Sequence, residues 1–135
     1  MTHHHRAPDI EIYLKGLAAT DLEQWLAEQL DDLAATKRVA GMPKNARPFQ
    51  GIWEGERFTI LVIEKVVDGF TSLWLNSPEL PWRDDQECAQ AAAAHFQREV
   101  RIAADGWQEG AEPDAWISIA PDGSQTNIQW QTEHS

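Results

Sequence analysis

The sequence predicts an α+β fold in which two helices pack on a largely antiparallel sheet, in the order β-α-β-β-β-α-β-β-β. Three observations carry that prediction. Residues Ile10 to Lys15 alternate apolar and polar side chains, as a strand with one buried face does. Two segments, one after Thr20 and one after Asp84, open with capping signals; the first continues with apolar residues three and four apart, the second with a run of alanines. Each is followed by short β-prone runs broken by Gly, Asp and Pro, which read as antiparallel meanders. Helices on one face of such a sheet give the α+β architecture.

The elements follow in chain order. Ile10, Ile12 and Leu14 form the inner face of the first strand, and Gly16 ends it. Thr20 opens a capping box with Glu23, and Leu22, Trp25, Leu26, Gln29, Leu30, Leu33 and Ala34 then mark a helix over about residues 21–36. Thr36 to Pro48 holds four basic residues and two prolines, reads as a loop, and is the chain's one basic concentration. Gly51 to Trp53 and Phe58 to Val67 form a hairpin around Glu54-Gly55-Glu56, and Asp68-Gly69 turns the chain into a further strand, Phe70 to Leu75. The middle strand carries Phe58, Ile60 and Val62 on one face and Leu61 and Ile63 on the other, so it is expected to be covered on both. Helices can cover one face; strand curvature, tryptophans or a partner subunit would have to cover the other.

The second helix opens in LPWRDDQECAQAAAAHF, residues 80–96. With Asp84 as its N-cap, Glu87 falls at the third helical position, and Asp85 and Glu87 lie in the first turn, where negative charge suits the helix dipole. Strands are expected at about residues 99–103, 115–119 and 127–131, separated by an acidic loop at 105–114 and a Pro121-Asp122-Gly123 turn. Residues 9–131 therefore form one domain between an N-terminal tail, 1–8, and a C-terminal tail, 132–135. The tail histidines, His3 to His5, are read as a solvated tract, native or tag-derived, with no metal role.

Composition narrows the function. The 22 acidic and 11 basic residues give a net charge of −11, which repels phosphate backbones and anionic lipid, so neither nucleic acid nor membrane is expected as a partner. No apolar run approaches the about 18 residues of a membrane span, and a single cysteine excludes an intramolecular disulfide and multi-cysteine zinc sites; a cytoplasmic location is expected. Of the aromatic residues, seven are Trp against four Phe and one Tyr, a richness that suits cores, interfaces and ligand platforms alike.

No complete catalytic set emerges, and no cofactor or metal is expected. Cys88 and His95 share a helix but stand seven residues apart, about 10 Å along the axis, too far for the imidazole to take the thiol proton. Cys88 instead belongs with Ala91, Ala92 and Phe96 on the packing face. The acidic loop lacks an EF-hand, because Trp107 and Trp116 stand where calcium ligands belong. Glu64 lies on the strand face of Phe58, Ile60 and Val62, where a carboxylate needs a partner such as Arg101.

The reading these residues favour is a non-catalytic protein-interaction module that binds another protein or itself, its simplest form a homodimer covering a tryptophan-bearing sheet face. Trp107 and Trp116, flanking the acidic loop, are its candidate recognition residues. The alternative is a small-ligand-binding protein or enzyme, with a pocket between the second helix and the sheet lined by Trp74, Trp82 and His95 with Glu64 and Arg101. A third reading is an acidic nucleic-acid mimic that occupies a basic partner.

Overall fold

The alternation at the start of the chain places Ile10, Ile12 and Leu14 in the core and turns Glu11, Tyr13 and Lys15 to the opposite face, forming strand β1 (Ile10–Lys15). The computed structural model describes residues 8–104 and 114–131. After β1 come α1 (Ala19–Gln29), β2 (Asp32–Ala35), β3 (Ala46–Trp53), β4 (Glu56–Val67), β5 (Phe70–Leu75), α2 (Asp85–Phe96), β6 (Val100–Ala103), β7 (Ala115–Ile119) and β8 (Gln125–Gln129). All strands join one antiparallel sheet of eight, in the order β2-β3-β4-β5-β1-β6-β7-β8. The first strand thus lies between the two meanders, pairing with β5 on one side and with β6 on the other. The α+β class is as the sequence predicts.

Both helices cover the face that carries Ile12, Leu73, Val62 and Phe49. Leu22, Trp25 and Leu26 of α1 are buried there, and Cys88, Ala89, Ala92 and Ala93 of α2 bring that helix close against β1, β6 and β7. The small side chains of α2 explain its close approach.

The first helix is shorter than the spacing of Leu30, Leu33 and Ala34 suggests. Leu30 takes extended backbone, ending α1, and Asp32–Ala35 pairs with β3 as an extra edge strand. Tertiary pairing overrides helical periodicity here: the amide of Asp31 donates to Ile52 (2.9 Å), while the Asp31 carboxylate accepts from the amide of Glu54 (2.8 Å). The helix also begins before Thr20, so the Thr20–Glu23 capping box does not form. Ala18 is the N-cap, Asp21 accepts its N–H (3.0 Å), and Glu64 from β4 accepts the amide of Ala19 (2.6 Å). At α2 the Asp84 cap forms, accepting from Glu87 N–H at 2.9 Å, but the Glu87 side chain reaches back to the Arg83 amide rather than to Asp84.

The basic loop is shorter than Thr36–Pro48, because β3 begins at Ala46 and includes Pro48. Proline is tolerated there because its missing N–H falls where β2 ends; its carbonyl still accepts from Thr36 (3.0 Å).

The sheet's other face is only partly covered. Toward β8, Val67, Phe70, Trp116 and Trp130 form a second buried cluster with Tyr13, Val66 and Ile128. Its rings meet edge to face, Trp116 and Trp130 at 5.0 Å and Tyr13 and Trp116 at 5.2 Å between centroids. Toward β3, Leu61 and Ile63 of β4 stay half-buried, so the expected cover on both faces of that strand is incomplete.

Candidate functional site

The residues expected to line one pocket stand in three places. Trp82 stacks on Trp25 (5.1 Å between centroids), which also faces His95 (6.0 Å); both tryptophans are buried, while His95 is exposed at the end of α2. Trp74 lies on the opposite sheet face, where its indole N–H donates to Asp9 (2.7 Å). Arg101 lies on that face too, its guanidinium 4.5 Å from the ring centres of both Phe70 and Trp130. Arg101 pairs with Glu99 (2.8 Å) rather than with Glu64, whose carboxylate is the cap on α1. Of the two candidate recognition tryptophans, Trp107 and the acidic loop through residue 113 lie outside the described residues. Trp116 is buried in the second cluster, with no hydrogen-bond partner for its indole N–H among the described residues.

Cys88 is fully buried, and burial, reinforced by Asp85 and Asp84, pushes its thiol well above the usual range. A reactive thiolate is not what this environment favours. Asp85 is a carboxylate moved toward neutrality. Burial, opposed by a hydrogen bond from the Glu11 amide and reinforced by Asp9, Glu11 and Asp84, pushes its pKa up to about 6. This carboxylate has a structural role, because the β1–β6 pairing stops at Tyr13 and Arg101 and Asp85 accepts the Glu11 N–H beyond it (3.3 Å). Glu11 is itself raised, by burial and then by Asp9, and Tyr13 is pushed up to about 12 by burial and by Glu11. Among the described residues no group of His, Cys, Asp and Glu could hold a metal ion, and no helix is long and apolar enough to cross a membrane.

Two features stand out for binding. The first is the outer edge of β8. Trp130 N–H donates to Asp114 (2.8 Å) and Ala120 N–H to Ser124 (2.9 Å), which fixes the alternation of the β7–β8 ladder. The backbone groups of Thr126 and Ile128 therefore turn toward β7, and those of Gln125 and Asn127 turn outward from the sheet. The strand reads QTNIQ, with no charge, proline or bulge to discourage pairing. At the other end of the sheet, Thr36 N–H donates to Pro48 (3.0 Å), so β2 turns the backbone groups of Leu33 and Ala35 outward, and of these the Leu33 amide is taken by the side chain of Asp32 (2.9 Å). Among the described residues, no partner pairs with the outward backbone groups of Gln125 and Asn127.

The second is a cavity of about 340 Å³ at the N-terminal end of α1, on the helix-covered face. Its lining includes the apolar Phe49 of β3, the basic Arg38 and Arg47, and the acidic Glu23 and Glu64. The sequence shows the basic run but not this meeting, because it joins α1, β3, β4 and the β2–β3 loop across the fold. No protein-family model, curated protein or solved structure matches the chain.

Proposed function

We propose that the protein is a non-catalytic interaction module that associates with a second copy of itself by pairing the outer edge of β8, extending the sheet across a two-fold axis. The observation that supports this is the uncharged outer edge of β8, where the backbone groups of Gln125 and Asn127 turn away from the sheet, in a chain of net charge −11. An isologous antiparallel pairing centred on Asn127 sets Thr126 opposite Ile128 of the second copy and places no carboxylate of either strand against another. A basic partner finds no acidic group on this strand to recognise. The tryptophan-bearing face gives weaker support, because Trp116 and Trp130 already pack against each other. A seam of five residues per copy belongs with the small interfaces, below about 1,200 Å², whose complexes are transient. The reading carries a reducing, cytoplasmic setting, in keeping with the lone buried thiol.

Sedimentation equilibrium over about 10 µM to 1 mM protein tests the proposal. The expected result is a concentration-dependent dimer. Asn127→Pro removes an amide that points away from β7, so the variant keeps the β7–β8 ladder, with unchanged thermal stability to within about 1 kcal/mol, and stays monomeric. Asn127→Lys places like charges at the centre of the seam and also weakens association. A wild-type monomer throughout the range, or a proline variant that dimerises as well as wild type, overturns the proposal.

A further inference from the structure

The cavity beside α1 holds unlike charges that do not close on one another. Arg38 and Arg47 face the same space as Glu23 and Glu64, yet neither arginine has a carboxylate within 4.0 Å among the described residues. Each guanidinium is oriented by backbone carbonyls instead. Arg38 donates through one terminal nitrogen to Pro43 (2.5 Å) and Met42 (3.3 Å), and Arg47 through one to Lys44 (3.0 Å) and Ala46 (3.1 Å). Their remaining donors are thereby held in place at little further cost in side-chain entropy.

The balance of charge selects the ligand. A simple anion entering the cavity meets two carboxylates, and a simple cation meets two guanidinium groups. A zwitterion satisfies both. Phe49 is buried, and Ala19 and Ala35 complete an apolar lining that calls for an apolar body between the charged ends. At about 340 Å³ the cavity lies at the small end of ligand sites, about 300–1,000 Å³. We infer that it binds a free amino acid with an apolar side chain, its carboxylate held by Arg38 and Arg47, its ammonium by Glu23, and its side chain against Phe49. Glu64, held by the Ala19 amide, fixes the first turn of α1 beside the ligand.

Calorimetric titration of the full chain with L-phenylalanine and L-leucine tests this. Both are expected to bind in the millimolar range or tighter. N-acetyl-L-phenylalanine, which lacks the ammonium, phenethylamine, which lacks the carboxylate, and inorganic phosphate are each expected to bind at least about tenfold more weakly. Arg47→Ala and Glu23→Gln alter exposed or half-exposed side chains, so near-ultraviolet circular dichroism should be unchanged while affinity for L-phenylalanine falls about tenfold or more. Absence of amino-acid binding at about 10 mM, phosphate binding as tightly as L-phenylalanine, or full affinity in folded Arg47→Ala overturns the inference. Because the β8 edge lies at the far end of the sheet from β3, neither outcome depends on the oligomeric state.

Discussion

Gly51 has no room for a methyl group. A Cβ built on it meets Phe58 Cζ at 2.8 Å, Ile60 Cδ1 at 3.0 Å and Leu30 Cδ1 at 3.1 Å. All three neighbours are buried in the main core, and Ile60 is fully so. The chain needs the gap because Gly51 lies in β3 between Leu33 of β2 and Phe58 of β4, and Leu30 turns inward as the chain leaves α1. Gly51→Ala is therefore expected to destabilise the fold by about 1–3 kcal/mol, the usual range for overpacking, as read from urea unfolding. An unchanged midpoint would show that Leu30 and Phe58 can move apart. The indole nitrogens illustrate a different residue-scale rule. Trp130 donates to Asp68 (2.8 Å) and Trp74 to Asp9 (2.7 Å), so these buried or half-buried rings carry their polar group to a carboxylate across the fold.

At the scale of the element, the start of α2 couples folding to pH. An acid whose pKa is raised on folding holds a proton in the folded chain that the unfolded chain has released. Asp85 therefore favours the fold below its ordinary 3.8, and that contribution is lost as pH rises through about 6. Glu99 works the opposite way. Burial acts against its charge, but hydrogen bonds from Ser118 and Arg101 and the charges of Arg101 and Lys15 outweigh burial and hold its pKa below the ordinary 4.5, so its contribution is lost as pH falls through that lower value. Asp85→Asn keeps an acceptor for the Glu11 amide and removes the charge. It is expected to flatten the decline in stability between about pH 4 and 6 and to stabilise the fold above pH 6 by about 1 kcal/mol, a figure reduced for the partial exposure of Asp85. Urea unfolding at a series of pH values checks this, and a slope equal to wild type would show that Asp85 is not the titrating group. Asp85 was legible in the sequence only as a first-turn carboxylate. Its burial beside Asp9 and Glu11 depends on where the β1–β6 pairing stops, which no local pattern records. The same limit hides β2: Leu30, Leu33 and Ala34 satisfy a helical spacing, and only the unpaired side of β3 decides that they form a strand. Where the residues inside an element settle its face, as in Ile10, Ile12 and Leu14 or in Asp84 capping α2, sequence and structure agree. The cavity has the opposite character. Its basic side chains are visible in the chain, but Glu64 and Glu23 join them only through the fold.

At the scale of the molecule, sheet order and net charge together bear on the proposed pairing of copies. The eight strands end in β2 and β8. Asp32 takes the outward amide of Leu33 on β2, whereas β8 carries no charge, so the proposed pairing of two β8 edges joins two copies across a two-fold axis. Each copy carries a net charge of −11, but β8 itself carries none, so charge opposes approach over distance without acting at the seam. Salt should then strengthen association rather than weaken it. Ionic strength shortens the reach of the repulsion from about 30 Å at 0.01 M to about 3 Å at 1 M, while main-chain hydrogen bonds between the β8 strands are little affected. Raising sodium chloride from about 0.05 M to about 0.5 M is expected to lower the dimer dissociation constant several-fold in sedimentation measurements, with the Asn127→Pro variant monomeric at both concentrations. Association that weakens with salt would instead mean that ion pairs hold the copies together, and the basic side chains of the β2–β3 loop, rather than the neutral edge of β8, would then be the contact.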